Sequence, residues 1–343
     1  MCFYMKEHFK ELNMKKICIF LAALIFISGF LFAEGQAEEE TATIGISKIV
    51  SHPALDAVEQ GIMDALRDLG YENIKYDLQN ANGDLNTAAS IANKFKAEKV
   101  SLAVGIATPT SQALATAMKD IPVIYSAVTD PVDAGLVDSY DKGEANVTGV
   151  SDMTPVKEQI AMIHSIAGIK TLGHIYSSGE ANAVKLASIA KDVCGDMGID
   201  FVETTVTNSA EVKQATQAII DRVDAIYVST DNTVVSALSS VADVALKAGV
   251  PIMSADPSSA EQFDILAAYG FDYYGMGRVT GQLVAKILEG TPTSEIPTQY
   301  MTNEEDLILH INLDVAEKIG LEIKDDIREK ADVFVKDGEV VKK

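Results

Sequence analysis

From Thr43 onward, short apolar and β-branched runs alternate with longer stretches whose apolar positions recur every three or four residues. The pattern predicts strands at Thr43 to Val50, Ile74 to Leu78, Val100 to Gly105 and Val123 to Val128. Helices are predicted between them at Pro53 to Leu69, Asp84 to Ala97 and Thr108 to Lys119. The rhythm restarts after Gly149, with helices at Pro155 to Ile166, Glu180 to Met197, Ala210 to Asp221 and Asn232 to Ala248. Strands at Thr171 to Tyr176, Asp200 to Thr205, Ala225 to Val228 and Pro251 to Ser254 interleave with these. A strand at Ile265 to Tyr269 and a helix at Tyr273 to Leu288 follow. Such alternation is the signature of βαβ units, and its repetition predicts an α/β protein of two doubly wound parallel-sheet lobes. Residues 43–148 plus about 270–300 are assigned to the first lobe. Residues 149–269 plus about 301–343 go to the second, with the tail from 301 the segment that a last crossing leaves open to either lobe.

The first 42 residues follow a different pattern. Lys15 and Lys16 precede an apolar run from Ile17 to Ile27, loosened by Ser28 and Gly29 before Phe30 to Ala33, and an acidic stretch follows from Glu34 to Glu40. A basic start, a short apolar run and a small residue at its end describe an export signal over residues 1–33 better than a spanning helix. Residues 34–42 read as an acidic tether. Cys18 lies at the start of the run, where a lipoprotein signal would need it after the end, so a free exported protein is expected. Met14 followed by two lysines is a natural initiation point, which makes residues 1–13 an expected upstream extension.

The chain carries 28 Lys and Arg against 50 Asp and Glu, a net charge of −22. Removing the four lysines and two glutamates of residues 1–33 leaves 24 basic and 48 acidic side chains, a net of −24. Phosphate backbones are bound through Lys and Arg, so this balance argues against nucleic acid as a partner. Of three cysteines only Cys194 follows the signal; with no pairing partner, in a helical stretch, it reads as a buried structural thiol.

Ligands of open parallel sheets bind outside the carboxyl ends of the strands, where helix N-termini also point. The loops there are rich in polar starts: Ala107-Thr108-Pro109-Thr110, Thr129-Asp130-Pro131, Ser177-Ser178-Gly179-Glu180, Ser229-Thr230-Asp231-Asn232 and Ser254-Ala255-Asp256-Pro257. Such residues cap any helix. Five such loops facing one cleft would also suit a small zwitterion, with helix starts taking a carboxylate and an Asp taking an ammonium.

Ile49-Val50-Ser51-His52-Pro53-Ala54-Leu55-Asp56-Ala57, Asn82-Gly83-Asp84, Gly105-Ile106-Ala107-Thr108-Pro109, Thr129-Asp130-Pro131-Val132, Tyr176-Ser177-Ser178-Gly179-Glu180-Ala181-Asn182 and Ser229-Thr230-Asp231-Asn232-Thr233 together resemble the substrate-binding proteins of bacterial ABC importers, in the group described as tryptophan/tyrosine-binding. The likeness runs through the tail, from Ile311-Asn312-Leu313 to Ala331-Asp332. It implies a periplasmic-binding-protein-like fold of the first type, two lobes joined by three crossings. It also implies a monomer that captures an amino acid, most often aromatic, and delivers it to an ABC permease with its ATPase. Carried over by residue, the ligand-binding set is Ser47, His52, Thr108, Thr110 and Asp130 from the first lobe. Ser177, Ser178, Glu180, Asn182, Asp231, Asn232 and Asp256 come from the second. The carboxylate is expected at the helix starts after Thr108 and Ser178, and the ammonium at Asp130, Asp231 or Asp256. Tyr125, Tyr269, Phe271, Tyr273 and Tyr274 are candidates for stacking on an aromatic ligand or for core packing. Many members of the group are lipoproteins, and this sequence shows no lipobox.

Other chemistry is weakly represented. Gly275-Met276-Gly277-Arg278-Val279-Thr280-Gly281 departs from a dinucleotide loop in spacing and reads as a hinge beside a close-packed helix. His52, His164, His174 and His310 lack metal-ligand spacing, and Gly149-Val150-Ser151-Asp152-Met153 lacks the last Gly of a nucleophile elbow. No metal, cofactor or enzymatic activity is expected. Asn146-Val147-Thr148 forms a glycosylation triplet, a pattern common by chance. The alternatives are a sensor docking on a membrane receptor, a binder of a sugar or nucleoside and, least favoured, an exported hydrolase.

Overall fold

A computed structural model describes residues 42–301 and 306–343. The expected signal, and all of the acidic tether except its last residue, lie outside the described residues. Two sheets organise the remainder. The first has the order β11 (Gln299–Tyr300), β5 (Val147–Ser151), β4 (Val123–Val128), β3 (Leu102–Ile106), β1 (Thr43–Lys48), β2 (Lys75–Asn80), all parallel. The central strands β3, β4 and β5 are buried along their whole length, as strands covered by helices on both faces must be.

The second sheet repeats the plan. Its order is β7 (Asp200–Val206), β6 (Thr171–Ser177), β8 (Ala225–Val228), β9 (Ile252–Ser254), β10 (Ala267–Phe271), β12 (Leu307–Asn312), β13 (Val333–Lys336), β14 (Glu339–Lys342). The first five of these are parallel, β12 runs antiparallel to β10, and β14 antiparallel to β13. The fold is thus α/β with two periplasmic-binding-protein-like lobes. The crossing expected near residue 148 falls after Ser151, because β5 stays paired with β4 from Val147 to Ser151, with one irregularity between Tyr125 and Val128. The chain returns after Phe271 and leaves again after Tyr300, and the tail strands β12 to β14 join the second sheet.

In each sheet the first strand lies between the second and third, so the connections diverge in opposite directions between β1 and β3 and again between β6 and β8. Divergence opens a crevice at the carboxyl ends of those strands, the position where such sheets bind ligands. The returning helix Tyr273–Leu288 packs along Pro53–Asp68. Gly61, Gly277 and Gly281 bring the two backbones so near that a Cβ on Gly277 would strike the Val58 carbonyl. The expected helix at Asn232 to Ala248 is broken at Ala237 into Asn232–Ser236 and Leu238–Ala248. Cys194 is buried and unpaired, with its thiol pushed up to about 11 by burial. Asn146 spends its side-chain amide on the Met118 and Ile121 carbonyls, which ties the triplet into the fold.

Candidate functional site

The two crevices face each other across one narrow cavity of about 20 Å³. From the first lobe come His52, Ala54 and Leu55 after β1, and Ala127 and Thr129 at the end of β4. The second lobe adds Asn182, Thr230, Asp231, Asn232, Val235 and Asp256. Asp152 and Tyr273, which flank the first two crossings, complete the wall. The lobes touch: Thr129 Oγ1 lies 3.5 Å from Thr230 Oγ1, and His52 and Asn232 meet in the same cavity wall.

Helix starts around the cleft fall into two kinds. Asp231 and Asp256 are themselves N-caps, accepting from the backbone N–H of Val234 and of Ser258. The helices Pro53–Asp68, Thr108–Ala117 and Ala181–Met197 begin without any side-chain cap, which leaves first-turn N–H groups without intrahelical partners. At Thr108–Ala117 the preceding Ala107 sits at φ 80°, ψ 159°, a region costly for any residue with a Cβ. Ala127, on the irregular stretch of β4, has φ 53°. Both departures from relaxed backbone adjoin the cleft.

Seven of the twelve candidate residues lie elsewhere than in the cavity wall. Thr110 donates its hydroxyl to the Ile106 and Ala107 carbonyls, and the Ser177 N–H donates to Asp231. Ser178 is exposed. Ser47 and Thr108 are buried beside the cleft, and their hydroxyls are without a partner. Asp130 is held by the N–H groups of Val132 and Asp133 and by Tyr140, and it pairs with Lys185. Glu180 accepts from Thr233 and Asn232 and lines an outer, more open part of the cleft. Of the aromatic candidates, Tyr273 alone lines the cavity. Tyr125 and Phe271 are in the first core, and the Tyr274 hydroxyl donates to Asp64. Sequence reasoning passed over Thr129, Thr230 and Asp152. The two threonines stood in the polar loops, whereas Asp152 was visible only as part of an incomplete nucleophile elbow.

The cavity wall is acidic. Burial pushes Asp152 and Asp256 up to about 6, and burial together with the Glu180 charge pushes Asp231 up to about 8. Among the described residues no Lys or Arg lines the wall. Desolvation takes His52 down to about 4, so its imidazole is neutral near pH 7, and its Nδ1 has no partner. Asn182 Oδ1 and Ser229 Oγ are likewise buried without a partner. Such a lining suits a molecule with a cationic group and several hydrogen-bonding atoms. No group of three or more metal-ligating side chains occurs among the described residues, and none of their helices is long and apolar enough to cross a membrane.

A family model described as ABC transporter substrate binding protein matches residues 43–335. A curated protein of Clostridioides difficile, named tyrosine-binding protein, is 38% identical over 269 residues, which cover 77% of this chain and 78% of that one. The ABC domain in complex with L-Trp from Streptococcus pneumonia is 32% identical at a TM-score of 0.82, covering 87% of this chain and 100% of its own. The ligand-free, open structure of a substrate binding protein with adhesive properties from Clostridium difficile is 35% identical at a TM-score of 0.64, covering 86% and 99%.

Proposed function

The chain belongs to the family of ABC transporter substrate-binding proteins, and from that premise we propose that it is the exported capture component of an importer for an amino acid, most readily an aromatic one. The observation that carries the reading is the cavity itself: three buried carboxylates and no cationic side chain in its wall, at the meeting point of two crevices. Asp152 and Asp256, at about 6, are ionised near pH 7, and an α-ammonium would offset their negative charge. The α-carboxylate would then lie at the uncapped start of Thr108–Ala117, whose Thr108 hydroxyl lacks a partner. Ala54, Leu55, Val235 and the Tyr273 ring supply an apolar wall for a side chain. The names of two relatives, one tyrosine-binding and one bound to L-Trp, agree with this chemistry.

Capture would proceed by closure. A ligand touching both lobes stabilises the closed form by its differential affinity for that form, after which a monomer would hand it to the permease and its ATPase. The structure fits the L-Trp-bound relative better than the open one, although the two differ from this chain in sequence to a similar degree. The test uses a property of the composition, the absence of Trp. Titrating L-tryptophan into ligand-free protein, with indole excited selectively, should give a saturable blue shift that L-tyrosine competes away. A folded protein that shifts neither indole emission nor its own melting temperature with any amino acid would refute the reading.

A further inference from the structure

We infer that Asp152 is the counter-charge for the ligand's α-ammonium and that its bond to Tyr273 ties ammonium capture to two of the chain crossings. The inference deepens the proposed amino-acid function and rests on it. It follows from a census of the carboxylates around the cleft. Asp231 accepts from the Val234 N–H at 2.9 Å on one oxygen and from the Ser177 N–H at 2.6 Å on the other. Asp256 gives both oxygens to Ser258, whose N–H and hydroxyl lie at 2.7 to 2.9 Å. Glu180 is gripped by Thr233 and Asn232, and Asp130 by Tyr140, Lys185 and two backbone N–H groups.

Asp152 differs from all four. It is 3% exposed, and each oxygen receives one long bond from a neutral hydroxyl, Thr129 Oγ1 at 3.3 Å and Tyr273 Oη at 3.2 Å. An ionised carboxylate has about four acceptor sites, and two here are weakly used. This is the lining carboxylate with two acceptor sites open to the N–H donors of an ammonium, and its two existing bonds are longer than those of Asp231 and Asp256. Its place gives it a second effect. Asp152 opens the segment that leaves the first sheet after Ser151, and Tyr273 begins the helix that follows the return after Phe271. A charge drawn to Asp152 therefore acts on a hydrogen bond joining both crossings, the segments that must turn when the lobes close.

The test compares two probes, L-tryptophan and 3-(indol-3-yl)propanoate, which lacks only the ammonium. For the wild-type protein the desamino compound should bind at least about 30-fold more weakly, the loss expected when a buried charge pair misses one partner. Asp152→Asn should bring the two affinities within about 3-fold of each other, chiefly by weakening L-tryptophan. Asp256→Asn should keep the wild-type ratio even where it weakens both probes. The ratio is the readout because a merely structural role would move both affinities together. If Asp152→Asn does not fold, Asp152→Ser is read in the same way. A folded Asp152 variant with the wild-type ratio overturns the inference and leaves the proposed function standing. Failure of the wild-type protein to bind L-tryptophan, L-tyrosine or any other amino acid overturns both.

Discussion

Lys185 Nζ, on the second-lobe helix Ala181–Met197, reaches to 3.1 Å from Asp130 Oδ2 on the first lobe. Asp133 lies 3.6 Å from the same ammonium. Asp130 cannot swing away, because Tyr140 and two backbone N–H groups fix its other oxygen, and these bonds with Lys185 hold its carboxyl below the ordinary range. A fixed anion on one lobe and a partly exposed cation on the other form an ion pair across the lobes, which separation of the lobes would break.

Lys185→Gln should therefore weaken ligand binding by about 2- to 5-fold, within the range of up to about 1 kcal/mol for partly exposed pairs, and should act through faster release. The wild-type release rate should rise with salt as the pair is screened, whereas that of the variant should respond less. Stopped-flow displacement at two ionic strengths measures both. Equal salt dependence in the two proteins would remove the ion pair from the account.

The Asp152 carboxyl gives a stability prediction with a definite sign. Its folded-state value of about 6 lies above the ordinary 3.8. Below about pH 4 the group is protonated whether or not the chain is folded; as the pH rises through 6 that advantage is lost, because ionisation is harder in the folded state. Ligand-free Asp152→Asn should therefore gain about 2–3 kcal/mol over the wild type between pH 4 and pH 7, since each tenfold change in proton affinity on folding is worth about 1.4 kcal/mol. Parallel melting curves at the two pH values isolate the group, since the other titrating carboxylates are common to both proteins. A difference that shrinks with rising pH would contradict the assignment of cause.

Much of this architecture is legible in the sequence because it is written locally. The buried runs of β3 and β4 and the heptad-like spacing of Tyr273–Leu288 mark elements directly, and the five polar loops mark the carboxyl ends of strands. What those loops do is less legible, since capping and ligand contact call for the same residue types. Asp130, Asp231 and Asp256 look equivalent as letters; their differences lie in which N–H, hydroxyl or ammonium reaches each oxygen. Asp152 stands in a crossing and meets Tyr273 from 121 residues away, a relationship no local pattern encodes. Tyr273 and Tyr274 are adjacent, yet one turns to the cavity and the other to Asp64, a matter of helical phase.

Backbone strain beside the cleft is open to measurement. Ala107 adopts φ 80°, ψ 159° immediately before the uncapped helix start, at a cost of roughly 1–3 kcal/mol for a residue with a Cβ. Ala107→Gly removes most of that cost and returns about 0.5–1 kcal/mol in unfolded-chain entropy. The ligand-free variant should be more stable by about 1 kcal/mol in urea denaturation. A destabilised variant would show that the Ala107 methyl contributes more through packing than its backbone loses.

The close helix pair supplies a prediction about transmission from scaffold to site. A Cβ at position 277 would meet the Val58 backbone rather than a movable side chain, so Gly277→Ala must push Tyr273–Leu288 away from Pro53–Asp68. Overpacking of this kind costs about 1–3 kcal/mol. Both helices begin at the cavity, one with Tyr273 and the other directly after His52, so the displacement should also weaken ligand binding. Gly195 is the control: it lies within the helix Ala181–Met197, and an added Cβ would meet nothing within 4 Å. Gly195→Ala should raise stability by up to about 1 kcal/mol through helix propensity and leave the affinity unchanged. Opposite shifts in denaturation midpoint, with only the Gly277 variant losing affinity, are the expected result. Equal behaviour of the two would mean that the helices can part at no cost and that their spacing does not shape the cavity.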